Sequence, residues 1–104
     1  WASAKGFRDS APCGPFVPVA EAGPLDALRF ALRVNGAVRQ TGDTALLLRP
    51  FARLLRELDA WYGLREGDLV YTGTPEGVGP VANGDVLELE LLGVPAASAR
   101  FRIA

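Results

Sequence analysis

The chain of 104 residues contains no histidine and no methionine, and Cys13 is its single cysteine. Without histidine, the chain by itself cannot build a Ser-His-Asp triad, a Cys-His dyad or a histidine-ligated metal site. One cysteine cannot form an internal disulfide, and one cysteine without histidine cannot hold zinc. The chemistry that remains rests on carboxylates, hydroxyls, amines, one thiol and backbone dipoles, and a reducing, cytoplasmic setting is expected.

Lysine is nearly absent as well, because Lys5 is the single lysine among the eleven Lys and Arg residues. The formal net charge is −1, and no basic run is present, so no nucleic-acid partner is expected. The apolar runs are far shorter than a membrane span, and no targeting segment is visible. We therefore expect no membrane partner either.

The residues that are present, 49% hydrophobic and 22% charged, are typical of one small globular domain. Apolar and polar residues alternate over 28–34, which predicts a half-buried strand with its arginines on the solvated side. Asn35-Gly36 follows directly and predicts a hairpin whose second strand covers 37–41. The short apolar run 69–71 predicts a further strand, and alternation predicts an antiparallel hairpin from 84–93 and 98–104.

Residues 50–62 change to helical spacing, because their large apolar side chains recur every three or four positions. Pro50 suits the first turn of a helix and Gly63 suits its C-terminal cap. We expect this helix to pack its apolar stripe on the sheet. Residues 1–24 carry four prolines and are predicted to be extended and without helix. The predicted fold class is α+β, mostly β, with a largely antiparallel sheet and one amphipathic helix.

The segment "TGTPEGVGP" (residues 72–80) is the first stretch that could carry chemistry. Its glycines and prolines are compatible with a plain cluster of β-turns. A loop whose backbone amides approach an anion is the less favoured alternative. No Gly-Lys-Ser/Thr follows, so the segment is not a phosphate-binding P-loop. The residues alone leave these two interpretations open.

Lys5 is the second candidate, because a compact, titratable amine differs from arginine where it meets an anion or a metal-bound oxygen. Its place in a Gly/Pro-rich segment favours function, although survival of one lysine by chance is a fair alternative. Glu88 and Glu90 lie two residues apart on a predicted strand and are interpreted as solvated charges rather than metal ligands. Cys13 is interpreted as a small filler rather than a nucleophile.

Three segments in this order make the sequence specific: "WASAKGFRDSAPCGPFVP" (1–18), "RVNGAVRQTGDT" (33–44) and "LREGDLVYTGTPEGVGPVANGDVLELEL" (64–91). Together they resemble the C-terminal part of the fumarylacetoacetate hydrolase family over nearly the full chain. The tryptophan before "AKGF" and the "SAP…FVP" after it resemble the acylpyruvate and fumarylpyruvate hydrolase branch.

The resemblance implies a mixed β-roll, a homodimer, and a Mg²⁺- or Mn²⁺-dependent enzyme of aromatic catabolism that acts on small 2-oxo acids. The expected reaction is hydrolysis of a C–C bond in acylpyruvates, that is, in 2,4-dioxo acids such as fumarylpyruvate or acetylpyruvate. The alternatives within the family are 2-hydroxyhepta-2,4-diene-1,7-dioate isomerase and oxaloacetate decarboxylase. A non-catalytic module of the same fold is a further alternative.

The resemblance also implies roles for single residues. Lys5 matches the family's active-site lysine, and Thr74, with Gly73, matches the threonine that holds a substrate carboxylate. We therefore expect Lys5 and Thr74 to face one cavity. Asp9 lies one position later than the family's usual aspartate, so its role stays open.

The metal ligands of the family lie upstream of the Lys5 motif. No metal ligand is therefore expected within residues 1–104, which we interpret as the C-terminal portion of a longer catalytic domain. The lack of an initiator methionine agrees with this interpretation.

Overall fold

The computed structural model describes residues 2–104, and its main element is a four-stranded sheet. The strands lie in the order β2-β1-β3-β4, and every neighbouring pair is antiparallel. Their bounds are Arg29–Val34 (β1), Ala37–Asp43 (β2), Val86–Leu91 (β3) and Val94–Arg102 (β4). The predicted α+β, mostly β fold class and both predicted hairpins are confirmed.

The turn between β1 and β2 forms at Asn35-Gly36, as the sequence predicts. Asn35 has a φ of 51° and Gly36 a φ of 84°, and the tight hairpin turn needs positive φ at both positions. The Asn35 side chain also joins this turn to β3, since its Nδ2 donates to Asp85 Oδ1 (2.9 Å) and its Oδ1 accepts from Val86 N (2.9 Å). Two turns that are distant in sequence are thereby fastened together.

A β-bulge interrupts the pairing of β2 with β1. Leu32 pairs with Gln40 while the next residue, Arg33, pairs with Val38, so Arg39 is the extra residue on β2. A bulge bends its strand and changes the direction of nearby side chains. The side chain of Gln40 contacts Thr74 of the candidate site described below, whereas that of Arg39 contacts the carbonyl of Pro80.

Helix α3 covers Phe51–Tyr62, with Pro50 preceding it and Gly63 closing it at a φ of 68°. The helix is thus confirmed where the spacing predicts it. No residue of α3 is buried, and Leu55 and Trp61 are 41% and 67% exposed. Phe51, Leu54 and Leu58 of the same stripe are half-buried, so the expected burial of this stripe is only partial in the described residues.

The N-terminal segment differs from the prediction of a chain without helix. It contains two single-turn helices, α1 (Ala2–Lys5) and α2 (Val19–Ala22). Pro18 accepts two backbone hydrogen bonds, from residues 21 and 22, through its carbonyl. Proline is tolerated directly before a helical turn because its missing N–H would have no helical partner there. Pro18 therefore precedes α2 without excluding it, and α1 lies before the first proline, Pro12.

The sheet is covered only in part within the described residues. The buried apolar side chains there are Ala31 and Val34, which are 5% and 7% exposed. Ala31 lies two residues from Arg33, on the face expected to be solvated, and Arg33 is itself half-buried in an ion pair with Glu90. That ion pair raises the pKa of Arg33. No helix within residues 2–104 has the length and apolar character needed to cross a membrane.

Candidate functional site

The segment 72–80, here called the glycine-rich loop, lies against strand β2. Gln40 holds it through a single amide nitrogen. Nε2 donates to Thr74 Oγ1 at 2.8 Å and to the Pro75 carbonyl at 2.9 Å, and it reaches the Glu76 carbonyl at 3.4 Å. Sequence reasoning missed Gln40, although it lies within the segment "RVNGAVRQTGDT" that supports the resemblance.

The C-terminal end of the glycine-rich loop is hydrogen-bonded to the bulge of β2. Arg39 Nη1 donates to the Pro80 carbonyl at 3.3 Å. Gly77 has a φ of 99°, and a Cβ placed on it would lie 2.5 Å from the Arg39 carbonyl oxygen. Only glycine fits this conformation and this close approach without a shift. The loop therefore follows β2 closely from Thr74 to Pro80.

A cavity of about 720 Å³ opens beside the loop, within the size range of small-molecule sites. Gly73 and Thr74 both line it, and the φ of 104° at Gly73 is one that other residues rarely adopt. Threonine hydroxyls and charged side chains supply its polar part, while Phe30 and several leucines supply its apolar part. The lining residues are Phe30, Thr41, Gly42, Asp43, Thr44, Leu46, Leu47, Leu48, Arg49, Leu54, Thr72, Gly73, Thr74, Pro75 and Glu76.

Of the two interpretations of residues 72–80, the cavity favours binding over a plain cluster of turns. A hydroxyl on a concave surface can orient a small ligand by one directed hydrogen bond, while the apolar wall contacts its carbon atoms. Arg49 adds a positive charge to the lining, and Glu57 pairs with it at 3.1 Å. The arrangement is suited to a small molecule that has a polar end and a carbon body.

Lys5 ends helix α1 and is exposed. Within the described residues, Lys5 is not among those that line the 720 Å³ cavity. The expectation that Lys5 and Thr74 share one cavity therefore stays a prediction. Asp9 has a φ of 60°. Its Oδ2 lies 3.6 Å from Arg8 Nε, and both side chains are at least 90% exposed. Its role also stays a prediction.

Cys13 and Tyr71 form a contact that the sequence did not predict. Tyr71 Oη donates to the Ala11 carbonyl at 3.0 Å and lies 2.8 Å from Cys13 Sγ. Either group can be the donor in this second bond. The bond with Cys13, followed by partial burial, raises the pKa of Tyr71.

This contact corrects two expectations. Cys13 is exposed and hydrogen-bonded rather than a buried filler, and residues 69–71 lie outside the strands of the sheet. A strand needs a neighbouring strand to satisfy its backbone, whereas this segment is held through the Tyr71 side chain. Tyr71 immediately precedes the glycine-rich loop. Its hydrogen bonds to Ala11 and Cys13 therefore connect that loop to the segment that follows Lys5.

The described residues do not by themselves supply the donor set of a divalent metal. No group of three or more His, Cys, Asp or Glu side chains that could hold a metal ion occurs among residues 2–104. Glu90 is paired with Arg33 across the sheet.

Comparison with known proteins tests the resemblance read from the motifs. The family model "Fumarylacetoacetate (FAA) hydrolase C-terminal" matches residues 1–102. The mitochondrial oxaloacetate tautomerase of Mus musculus is 39% identical over 103 residues, which are 99% of this chain and 46% of that protein. The oxaloacetate tautomerase of Escherichia coli is 41% identical over 84% of this chain and 40% of that protein. The chain thus spans less than half the length of these curated relatives.

Solved structures agree with the sequence comparison. A fumarylacetoacetate hydrolase family protein from Yersinia pestis is 39% identical, with a TM-score of 0.92 over 100% of this chain and 46% of that one. Maleylpyruvate hydrolase from Sphingobium is 32% identical, with a TM-score of 0.79 over 88% of this chain and 34% of that one. That hydrolase has also been solved in complex with manganese(II) and pyruvate. Because a family model covers nearly the whole sequence and the folds superimpose at this identity, the chain belongs to the fumarylacetoacetate hydrolase family.

Proposed function

We propose that residues 1–104 are the C-terminal portion of a catalytic domain that converts small 2-oxo acids through an enol, with oxaloacetate tautomerisation as the first candidate. The observation that carries the proposal is the position of Thr74, which lines a cavity of about 720 Å³ and whose hydroxyl group accepts a hydrogen bond from Gln40. The names of the relatives support the choice of reaction, since proteins 39% and 41% identical to this chain are oxaloacetate tautomerases.

The reaction needs a bound carboxylate and a stabilised oxygen. Tautomerisation breaks a C–H bond at C3, moves its electron pair into the C2–C3 double bond, and protonates the 2-oxo oxygen. Negative charge therefore develops on that oxygen in the transition state. Thr74 would donate to the adjacent carboxylate, and the Lys5 ammonium would stabilise the developing enolate. Preorganised donors of this kind are usually a large part of catalysis.

The second candidate is the activity predicted from the sequence, hydrolysis of acylpyruvates. Its support is the structural likeness to maleylpyruvate hydrolase. In that reaction water adds to the 4-oxo carbon, the C3–C4 bond breaks, and pyruvate leaves as its enolate. The same two residues would then bind the carboxylate and stabilise the leaving enolate. The isomerase and decarboxylase alternatives involve a related enolate, so the substrate assay has to separate them.

Several properties of the whole protein stay predictions alongside these roles. The dependence on Mg²⁺ or Mn²⁺ is supported by the manganese complex of maleylpyruvate hydrolase. Loss of activity in EDTA and recovery on addition of Mn²⁺ would test it. Homodimer formation and a cytoplasmic location are likewise predictions, and the murine relative is mitochondrial.

The test uses the full-length protein with three substrates. Enol–keto interconversion of oxaloacetate is followed by the ultraviolet absorbance of the enol. Pyruvate release from oxaloacetate, fumarylpyruvate and acetylpyruvate is followed with a coupled dehydrogenase. We expect accelerated interconversion, with a raised KM in Thr74→Val, which removes the hydroxyl and retains the shape. Pyruvate release from the acylpyruvates alone would favour the hydrolase, and no turnover of any substrate would indicate a non-catalytic module.

A further inference from the structure

We propose that Gln40 is a positioning residue that aims the Thr74 hydroxyl proton at the substrate carboxylate. The inference rests on the proposed function, because it takes the ligand at Thr74 to be a 2-oxo acid. Gln40 is not among the residues that line the cavity, whereas Thr74 is. Gln40 would therefore act through Thr74 rather than by contact with the ligand.

The direction of the hydrogen bond follows from the partners of Gln40. Its amide nitrogen lies 2.8 Å from Thr74 Oγ1, 2.9 Å from the Pro75 carbonyl and 3.4 Å from the Glu76 carbonyl. Two of these partners are carbonyl oxygens, which can only accept. The group that faces them must be the NH₂, and a flipped amide would place oxygen against oxygen. Gln40 is therefore the donor to Thr74.

A threonine hydroxyl has one proton and two lone pairs. Gln40 occupies a lone pair of Oγ1, and the amide nitrogen has no lone pair available to accept the proton of that hydroxyl. The proton of Thr74 is thus available to another acceptor, and Thr74 lines the cavity in which a ligand would lie. An exposed threonine without such a partner would rotate, and fixing it in advance lowers the entropic cost of binding.

The backbone around Gln40 fixes its distance from the loop. The bulge at Arg39 places the extra residue of β2 directly before Gln40. Gly77 approaches the Arg39 carbonyl so closely that an added Cβ would lie 2.5 Å from it and 3.1 Å from Gln40 Cγ. The reach of the Gln40 side chain is therefore matched to the separation between strand and loop.

A double-mutant cycle distinguishes this role from general support of the loop. Gln40→Met removes the NH₂ and retains the length, and Thr74→Val removes the hydroxyl. If Gln40 acts through that hydroxyl, the two effects do not add, because the second change removes what is already lost. If Gln40 only supports the loop, its replacement costs the same affinity whether or not Thr74 has a hydroxyl.

The experiment measures the affinity of the full-length protein for pyruvate by calorimetry in buffer with Mn²⁺, and KM for oxaloacetate. Each single variant should weaken pyruvate binding on the order of tenfold, as expected for a hydrogen bond to a charged group. The double variant should also be weaker by about tenfold, not a hundredfold. Arg39→Met is the matched control, since it breaks the fastening to Pro80 without touching Thr74, and its pyruvate affinity should stay near that of the wild type.

The outcomes separate the two proposals. Wild-type affinity in Gln40→Met, or additive losses in the double variant, would overturn the role of Gln40 while the proposed function stands. A loss in Arg39→Met equal to that in Gln40→Met would also overturn it, because loop support would then account for both. A wild-type protein that neither binds pyruvate nor acts on oxaloacetate would overturn the proposed function first, and this inference with it.

Discussion

Replacement of Gly77 by alanine tests how tightly the glycine-rich loop fits against β2. Two costs combine at this position. A φ of 99° is unfavourable for a residue with a Cβ, by about 1–2 kcal/mol. The new methyl group would also lie 2.5 Å from the Arg39 carbonyl, and overpacking of this kind typically costs about 1–3 kcal/mol. We expect Gly77→Ala to lose about 2–5 kcal/mol of unfolding free energy, the sum of the two costs.

Gly67→Ala is the matched control, because Gly67 has a similar φ of 90° and no atom within 4 Å of an added Cβ. It should lose only the conformational part, about 1–2 kcal/mol. Urea unfolding of the full-length protein gives both free energies, provided that the m-values agree. A loop that moves to relieve the clash would displace Thr74 and lower kcat/KM instead. Equal stability and equal kcat/KM in the two variants would refute the close fit of the loop.

Three further predictions concern Lys5, Tyr71 and Asp85. Lys5→Arg in the full-length enzyme should retain the fold but lower kcat on the order of a hundredfold, because a planar guanidinium cannot replace a compact ammonium at an enolate oxygen; wild-type kcat would remove Lys5 from the mechanism. Tyr71→Phe should speed amide exchange around Ala11 by removing a 3.0 Å hydrogen bond, whereas no such change is expected in a Tyr62→Phe control. Hydrogen bonds from the backbone N–H of Ala82, which is the larger cause, and from the side chain of Asn35 hold the pKa of Asp85 below its ordinary 3.8. This stabilisation is present above about pH 3.8 and is lost as the pH falls through the lower folded value, so acid titration of unfolding should show a smaller loss in Asp85→Asn.

The order of local elements could be predicted from the sequence because each depends on neighbouring residues. Asn35-Gly36 tolerates the positive φ angles of a tight turn, and the turn forms there. The spacing of apolar residues between Pro50 and Gly63 predicts a helix, and α3 forms there. The motif around Gly73 and Thr74 located the loop that lines the cavity. Local conformation and family motifs are both carried by contiguous residues, so they can be read without the fold.

The contacts that build the candidate site were decided only by the tertiary structure. Gln40 meets Thr74 across 34 residues, and Cys13 meets Tyr71 across 58. No local pattern marks either pair, because their contact depends on how two distant segments pack. The bulge at Arg39 is equally invisible in the sequence, since it arises from the register of β2 against β1. Side-chain hydrogen bonds require their atoms within about 3 Å, and only the packed chain brings groups so far apart in sequence to that distance.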